Sequence, residues 1–389
     1  MEKNEYFRSV NGVNRMANIL SGNHFPLSDK GSDSNLVSRV WVLVARFIRI
    51  TYLITTLSGT FYFADITAGE AFKRLGAVAA LFFESSTIAI YLHFCGKDLG
   101  DLARKCNDTF AGSDELKKVV RETIAPYKKG VRFNMIVCIM TASVWSAGSY
   151  LLVFFKHEFT YADFAVPAYF PGEPFTVNVF LAGVTLQVLG LSLTAFAKNS
   201  TDAYVTHFIA VLSAEYKYVR REMSNALRQE DDDETAVVEA LQICVRHHCA
   251  TIEIAQKLCD LMAIHIGITY FSCIVKFCFL GFSIIRFESA PIEKITFVVY
   301  TGSCVLQVFL VCSCIQELLD VSTSVTQDAF HENWHGRSTA VKNIFYTIEM
   351  SNTMECRLSC YRVVDLVVPS LAQILSKAYS ACLLFLEVN

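Results

Sequence analysis

The chain has 389 residues, of which 53% are hydrophobic, 13% aromatic and only 18% charged. Soluble chains carry about a quarter charged residues, so this balance excludes an ordinary water-soluble enzyme or binding domain. A formal net charge of −3 is too small to imply a nucleic-acid partner, which demands a strongly basic surface.

A helix crossing the hydrocarbon core needs about 20 mostly apolar residues. Seven segments meet that need: 47–64, 75–95, 133–155, 175–197, 261–285, 295–316 and 366–386. The N-terminal stretch before them is polar and lacks an apolar leader run, so the first span is expected to start insertion itself. The third, fourth and sixth segments hold no Asp, Glu, Lys or Arg; the others hold Arg49, Glu84, Lys276 and Lys377 in turn. Open strands are excluded because lipid cannot satisfy their edge groups.

Several connections also read as helix. After the fourth span, residues 203–228 are apolar at helical spacing (Tyr204, His207, Phe208, Val211, Leu212, Tyr216, Val219), which predicts that this helix continues into the cytoplasm. Residues 237–261 read the same way and lead into the fifth span. The acidic run 230–234 between them is expected to be a solvated loop. Residues 322–350 are expected to form an amphipathic helix with Phe330 and Trp334 one turn apart. Such helices must bury their apolar faces, and packing against copies in an oligomer is one way to do so.

Lys and Arg mark the cytoplasmic side. The N-terminal segment to Arg39 holds five, residues 96–130 hold eight, 212–257 hold six and 317–365 hold four. The opposite loops hold few, among them Lys73, Lys156, Arg286 and Lys294. The expected class is an all-α membrane protein with seven spans, the N-terminus inside and the C-terminus outside. It divides into a cytoplasmic segment (1–39), six spans with cytoplasmic extensions (40–316), cytoplasmic anchor helices (317–365) and a last span (366–389). This orientation opposes that of a G-protein-coupled receptor, whose Asp-Arg-Tyr and Asn-Pro-x-x-Tyr signatures are also absent. No repeat symmetry suggests a transporter. His93, His207 and His265 lie in different helices without a nearby carboxylate, so no enzyme site assembles, and no cofactor is implied. The 14 cysteines mostly fall in apolar runs, as small reduced apolar residues do, and none stands at zinc-ligand spacing.

The C-terminal half carries a resemblance. LQVFLVCSCIQELLDVSTSVTQDAFHENW resembles the run of aromatic-rich span, Cys, small polar pair, Ser and Tyr-x-x-x-Trp found in insect odorant receptors. Cys312, Glu317, Ser322, Phe330 and Trp334 take those places; Ile315 departs from the usual Gly and Phe330 from the usual Tyr. The ending SKAYSACLLFLEVN is similar to the family's Ser-Tyr-Ser-aromatic close through Tyr379, Ser380 and Leu384, while Ala378, Ala381 and Cys382 depart from it. Pro167, Phe170 and Pro171 match a proline-marked outer loop. Gustatory receptors, the alternative of the same fold, close on a Gln-Phe that is absent here.

The resemblance implies a tuning subunit in the plasma membrane of olfactory sensory neurons. It would form a heterotetrameric non-selective cation channel with a co-receptor and bind a volatile odorant in the outer half of the bundle, embedded in membrane lipid and without nucleic acid. By span position the expected lining is Ala79, Phe82 and Phe83; Trp145, Ser146, Ser149 and Tyr150; Thr185, Gln187 and Leu189; and Phe297, Val298, Tyr300 and Thr301. Trp145, Tyr150 and Tyr300 stand out, because an indole or phenol in a span needs a partner for its polar atom. The same resemblance puts the last spans around the pore. There Tyr379, Cys382, Leu383 and Leu386 form a helical stripe able to close by dewetting, or equally to pack on another helix. Glu387 stands near the outer mouth. Whether Glu84 meets Lys276 is open at this level, and Lys377 is expected to avoid the pore.

Overall fold

The computed structural model describes residues 12–23, 25, 36–62, 68–110, 114–164, 168–170, 172–228, 234–286, 291–353, 356–360 and 363–387. The chain opens with a short helix α1 (Gly12–Ser21) and the first long helix α2 (Leu36–Tyr62), followed by α3 (Ala68–Phe94) and the amphipathic α4 (Gly96–Phe110). Then come α5 (Asp114–Leu152), α6 (Val177–Arg228), α7 (Glu234–Arg286) and α8 (Pro291–Ser322). A short helix α9 (Thr339–Ser351), a two-residue hairpin (β1, Ser359–Cys360; β2, Val364–Asp365) and α10 (Val368–Glu387) complete it.

Six of these helices, α2, α5, α6, α7, α8 and α10, are long and apolar enough to cross a membrane. The remaining predicted span, the second, is α3, in which Ala80–Phe94 forms a shorter apolar stretch. The protein is an all-α membrane protein.

Length decides how α6 and α7 behave. Their 52 and 53 residues correspond to roughly 75–80 Å at 1.5 Å per residue. The hydrocarbon core is only about 30 Å thick, so each helix must run far past it. The extension after the fourth span is therefore continuous helix, as the apolar spacing predicted. It is also the centre of the molecule: Ala203, Tyr204, Phe208, Ile209, Val211 and Leu212 are fully buried. Helices α1, α2, α5, α7 and α8 all pack on α6.

Residues 322–350 do not form one helix. Helix α8 stops at Ser322, a single 3-10 turn covers Ala329–His331, and α9 starts only at Thr339. The hydroxyls explain the break. Ser324 N–H turns to the Val321 carbonyl (3.4 Å) while Ser324 Oγ donates to that of Asp320 (2.7 Å), so a side chain satisfies the carbonyl that the next helical N–H would have used. Trp334 then folds back and stacks on Phe345 of α9 (4.3 Å, 10°). The acidic run lies mostly outside the described residues.

Glycine permits two close approaches at the opposite end. A Cβ on Gly190 of α6 would sit 2.3 Å from Cβ of Tyr52 on α2. One on Gly59 of α2 would meet the backbone of Ala168 at 2.6 Å. The loop between α5 and α6 thus lies directly against α2, with Tyr169 N–H donating to the Thr55 carbonyl (2.9 Å).

Candidate functional site

The end of the bundle where α5 turns into α6 is roofed by aromatic side chains. Phe159 and Phe175 exchange backbone hydrogen bonds (3.2 and 2.7 Å) across the α5–α6 loop. This pairing turns the loop back onto α6, where Phe159 stacks on Phe180 (4.1 Å, 7°) and Phe164 packs on both Phe175 and Phe180. Asp163 anchors the roof by accepting from Lys156 Nζ (2.5 Å) and Thr160 N–H (2.9 Å). Burial alone would raise its carboxyl pKa, but these donors outweigh that and hold it below the usual carboxylate range.

The residues expected to line a ligand site lie as follows. Tyr150 OH and Thr185 Oγ1 lie 3.1 Å apart and tie α5 to α6, while Ser149 Oγ donates to the Asp163 carbonyl (3.3 Å). On α8, Phe297 and Tyr300 are half-buried against the main core, Val298 is exposed, and Thr301 Oγ1 donates to the Phe297 carbonyl (2.8 Å). Gln187 is buried and Phe82 half-buried, whereas Thr185, Leu189 and Phe83 are exposed. Phe83 and Leu189 are therefore not gathered into the packed wall with Phe180 and Val184. The side chains of Ala79, Trp145 and Ser146 lie outside the described residues.

Deeper in the bundle is a cluster of buried charges. Glu84 of α3 meets Lys198 of α6 (2.9 Å) and Lys276 of α7 (3.4 Å), and Lys198 also meets Asp202 (2.6 Å). Gln307 Nε2 of α8 donates to Asp202 (2.5 Å). None of the four charged side chains is more than 9% exposed. A second polar seam lies beside it: Ser303 Oγ donates to Asn134 Oδ1 (2.6 Å), and Asn134 Nδ2 to Asn199 Oδ1 (2.8 Å). Glu84 and Lys276 were visible in the sequence as a possible pair. Lys198, Asp202 and Gln307 were missed; the signal available was the i, i+4 spacing of Lys198 and Asp202 inside a helix that does not stop at the membrane.

Along α10 the predicted stripe is divided. Cys382 is buried against Cys278 and Phe282 of α7, and Leu386 packs on the same cluster. Tyr379 (64%) and Leu383 (40%) are exposed on the chain's outside. Lys377 donates to the Tyr270 hydroxyl of α7 (2.9 Å) and lies over its ring. Where α8 ends, Glu317 takes hydrogen bonds from Tyr127 and Lys217, and buried Ser322 accepts from Cys356 N–H (3.2 Å).

Comparison with known proteins points one way. A family model described as 7tm Odorant receptor matches residues 74–379. Odorant receptor 85f of Drosophila melanogaster is 24% identical over 101 residues, 26% of each chain. Odorant receptor 67a of the same species is 23% identical over 142 residues, 36% of this chain and 35% of the relative. These alignments span between 26% and 35% of the length of the two relatives. Two structures of the olfactory receptor OR5 from Machilis hrabei, one in complex with eugenol, superpose with a TM-score of 0.79 each. Sequence identity is 13% and 14%, over 98% or more of both chains.

Proposed function

The chain belongs to the 7tm odorant receptor family, and on that premise we propose that it is an odorant-tuning subunit of a ligand-gated cation channel. It binds a small volatile in the outer half of the bundle and opens a non-selective pore formed with a co-receptor subunit. It sits in the plasma membrane of olfactory sensory neurons with its N-terminus inside. The observation that carries this reading is the roofed outer bundle. A wall of stacked rings, bordered by the Tyr150 and Thr185 hydroxyls, suits a volatile that is mostly apolar with one polar atom. Eugenol, the ligand in one structure of OR5 from Machilis hrabei, is a mostly apolar phenol with two oxygens.

Gating follows from how the helices are joined. A ligand shifts the closed–open balance only through a difference in affinity for the two states. One held between α5, α6 and α8 touches α8 directly, and α7 and α8 both pack on α10. The exposed Tyr379 and Leu383 face the pore in this reading, with Cys382 and Leu386 on the flank that slides against α7. Such an apolar ring conducts once widened enough to hold water.

The test is whole-cell recording with and without the family's co-receptor during application of volatile organics. An inward cation current that needs both subunits and survives blockade of G-protein signalling supports the reading. Surface-expressed subunits that answer no volatile, with this chain alone gated by tastants, would replace it with a gustatory channel.

A further inference from the structure

Most of the 14 cysteines fill space as small apolar residues, but two of them meet. Cys259 of α7 and Cys356, which follows α9, lie 97 residues apart in the chain with their Sγ atoms 3.4 Å apart. Both sides of this contact are held. Cys259 stands within the continuous helix Glu234–Arg286. Cys356 N–H donates to Ser322 Oγ at the end of α8 (3.2 Å), and Leu358, two residues on, is 1% exposed. The hairpin follows at once, with Ser359 opposite Asp365 and Cys360 opposite Val364. It lies against α7, where a Cβ on Gly267 would meet Cys360 Sγ at 2.6 Å.

Two thiols at this separation are a small step from a bond. A disulfide needs about 2.05 Å between its sulfurs, so each would move by about 0.7 Å. The pair is also within reach of solvent. Cys356 is buried, but Cys259 is half-buried and is flanked by exposed Gln256, Lys257 and Asp260. Of the two, it is the residue that a water-borne oxidant can meet.

We propose that Cys259 and Cys356 form a redox-sensitive dithiol that hydrogen peroxide converts to a disulfide, tying the segment before α10 to α7. The steps balance with peroxide as the only oxidant. The Cys259 sulfur attacks peroxide, becomes a sulfenic acid and releases one water. The Cys356 sulfur then attacks the sulfenic sulfur, which forms the S–S bond and releases a second water. Together the two thiols lose two electrons and two protons, and one peroxide becomes two waters. A thiol reductant reverses the bond by exchange, so the pair rests open wherever thiols keep the surroundings reduced.

The consequence for the channel rests on the receptor reading above. Strand β2 ends at Asp365 and α10 starts at Val368, so the hairpin is the lead-in to α10. In that reading α10 slides against α7 on opening, and the disulfide would clamp its start to α7.

The experiment has a chemical arm and an electrical one. The full chain is purified under reduction, exposed to graded hydrogen peroxide, alkylated, digested without reductant and read by mass spectrometry. The peptide linking Cys259 to Cys356 is expected to be the most abundant cross-link, to vanish with dithiothreitol and to be missing from Cys259→Ala and Cys356→Ala. Both cysteines still open to alkylation at doses that oxidise other thiols of the chain, or another pair linking first, overturns the proposal. In cells carrying the co-receptor, peroxide is expected to lower the wild-type odorant current at least about twofold by biasing the closed state, and dithiothreitol to restore it. Cys356→Ala, with the same co-receptor, is expected to keep its current. A loss that this variant shares belongs to other thiols and overturns the clamp. Should an alanine variant fail to reach the surface, the wild-type cross-link map decides. Silence toward every volatile from surface-expressed wild type overturns the receptor reading, while the same map still decides the dithiol.

Discussion

At the residue scale the charge cluster is the most demanding feature of the chain. Lys198 serves both carboxylates, so its loss strands two negative charges with a single distant ammonium. Removing one partner of a buried ion pair costs about 3–5 kcal/mol. Lys198→Met is therefore expected to abolish most surface expression and to lower the thermal midpoint of any purified protein by many degrees. Adding Asp202→Asn removes a charge of each sign, leaves Glu84 with Lys276, and is expected to recover most of the loss; a double variant no better than the single one would show that the charges do not matter as a set. This cluster also marks where sequence reading ran short. Glu84 and Lys276 are lone charges in apolar runs and announce themselves. Lys198 and Asp202 do not, because hydropathy ends the fourth span at residue 197 and assigns both to the water side. Only the packing of α3 and α7 on α6 shows that they are buried. Close backbone approaches are equally invisible to composition. Gly59→Val is expected to cost about 1–3 kcal/mol, because the backbone of Ala168 cannot give way as a side-chain tip would. Gly96→Ala, with nothing within 4 Å of its new Cβ, is the control and is expected to leave the melting midpoint unchanged.

At the element scale, hydropathy gave the long helices because period and length agreed over many turns. The extension of α6 was readable for that reason. Residues 322–338 were not, since Phe330 and Trp334 sit one turn apart whether or not the backbone between them is helical. The hydroxyl-capped stop at Ser322 and the stacking of Trp334 on Phe345 are tertiary facts. The hairpin end of this region meets α7, and there His248 Nε2 lies 2.8 Å from Ser351 Oγ of α9. Burial, helped by the neighbouring His247, lowers the His248 pKa from 6.5 to about 4. The unfolded chain takes the proton near 6.5 and the folded one only near 4, so stability is undiminished above 6.5 and falls as pH drops through that window. The loss at its low end is on the order of 3 kcal/mol. Thermal unfolding in detergent is expected to show a lower midpoint at pH 5 than at pH 7.5. His248→Gln, which keeps a polar partner for Ser351, should shrink that difference; an unchanged difference would assign the acid sensitivity to other groups.

The whole molecule exposes too much apolar surface for a lone chain in water, and most of it belongs in lipid. Val37, Phe47, Ile54, Phe133, Met140 and Ile295 lie on helices that cross the membrane or border it. The same cannot be said of Tyr346 (53%) and Met350 (74%) on α9, or of Ile243 (54%) near the start of α7. These positions fall outside every span, where an exposed cluster of large apolar side chains marks an interaction surface. The opposite face of α9 is already occupied: Val341, Phe345 and Ile348 are buried in the chain's own core. An amphipathic helix with one face in its own subunit and large apolar side chains exposed on the other is suited to joining subunits, the anchor role expected of this region. The anchor reading leads to a separation of function. Tyr346→Glu together with Met350→Glu leaves Val341, Phe345 and Ile348 in place and gives up the edge contact of Tyr346 on Trp334 (5.5 Å), so the thermal midpoint of the isolated chain is expected to hold within a few degrees. Co-purification with the co-receptor, and odorant current with it, are expected to fall at least about tenfold. A variant that still co-purifies at wild-type levels would move the subunit contact to the exposed face of α10, where Tyr379 and Leu383 would then be seam rather than pore.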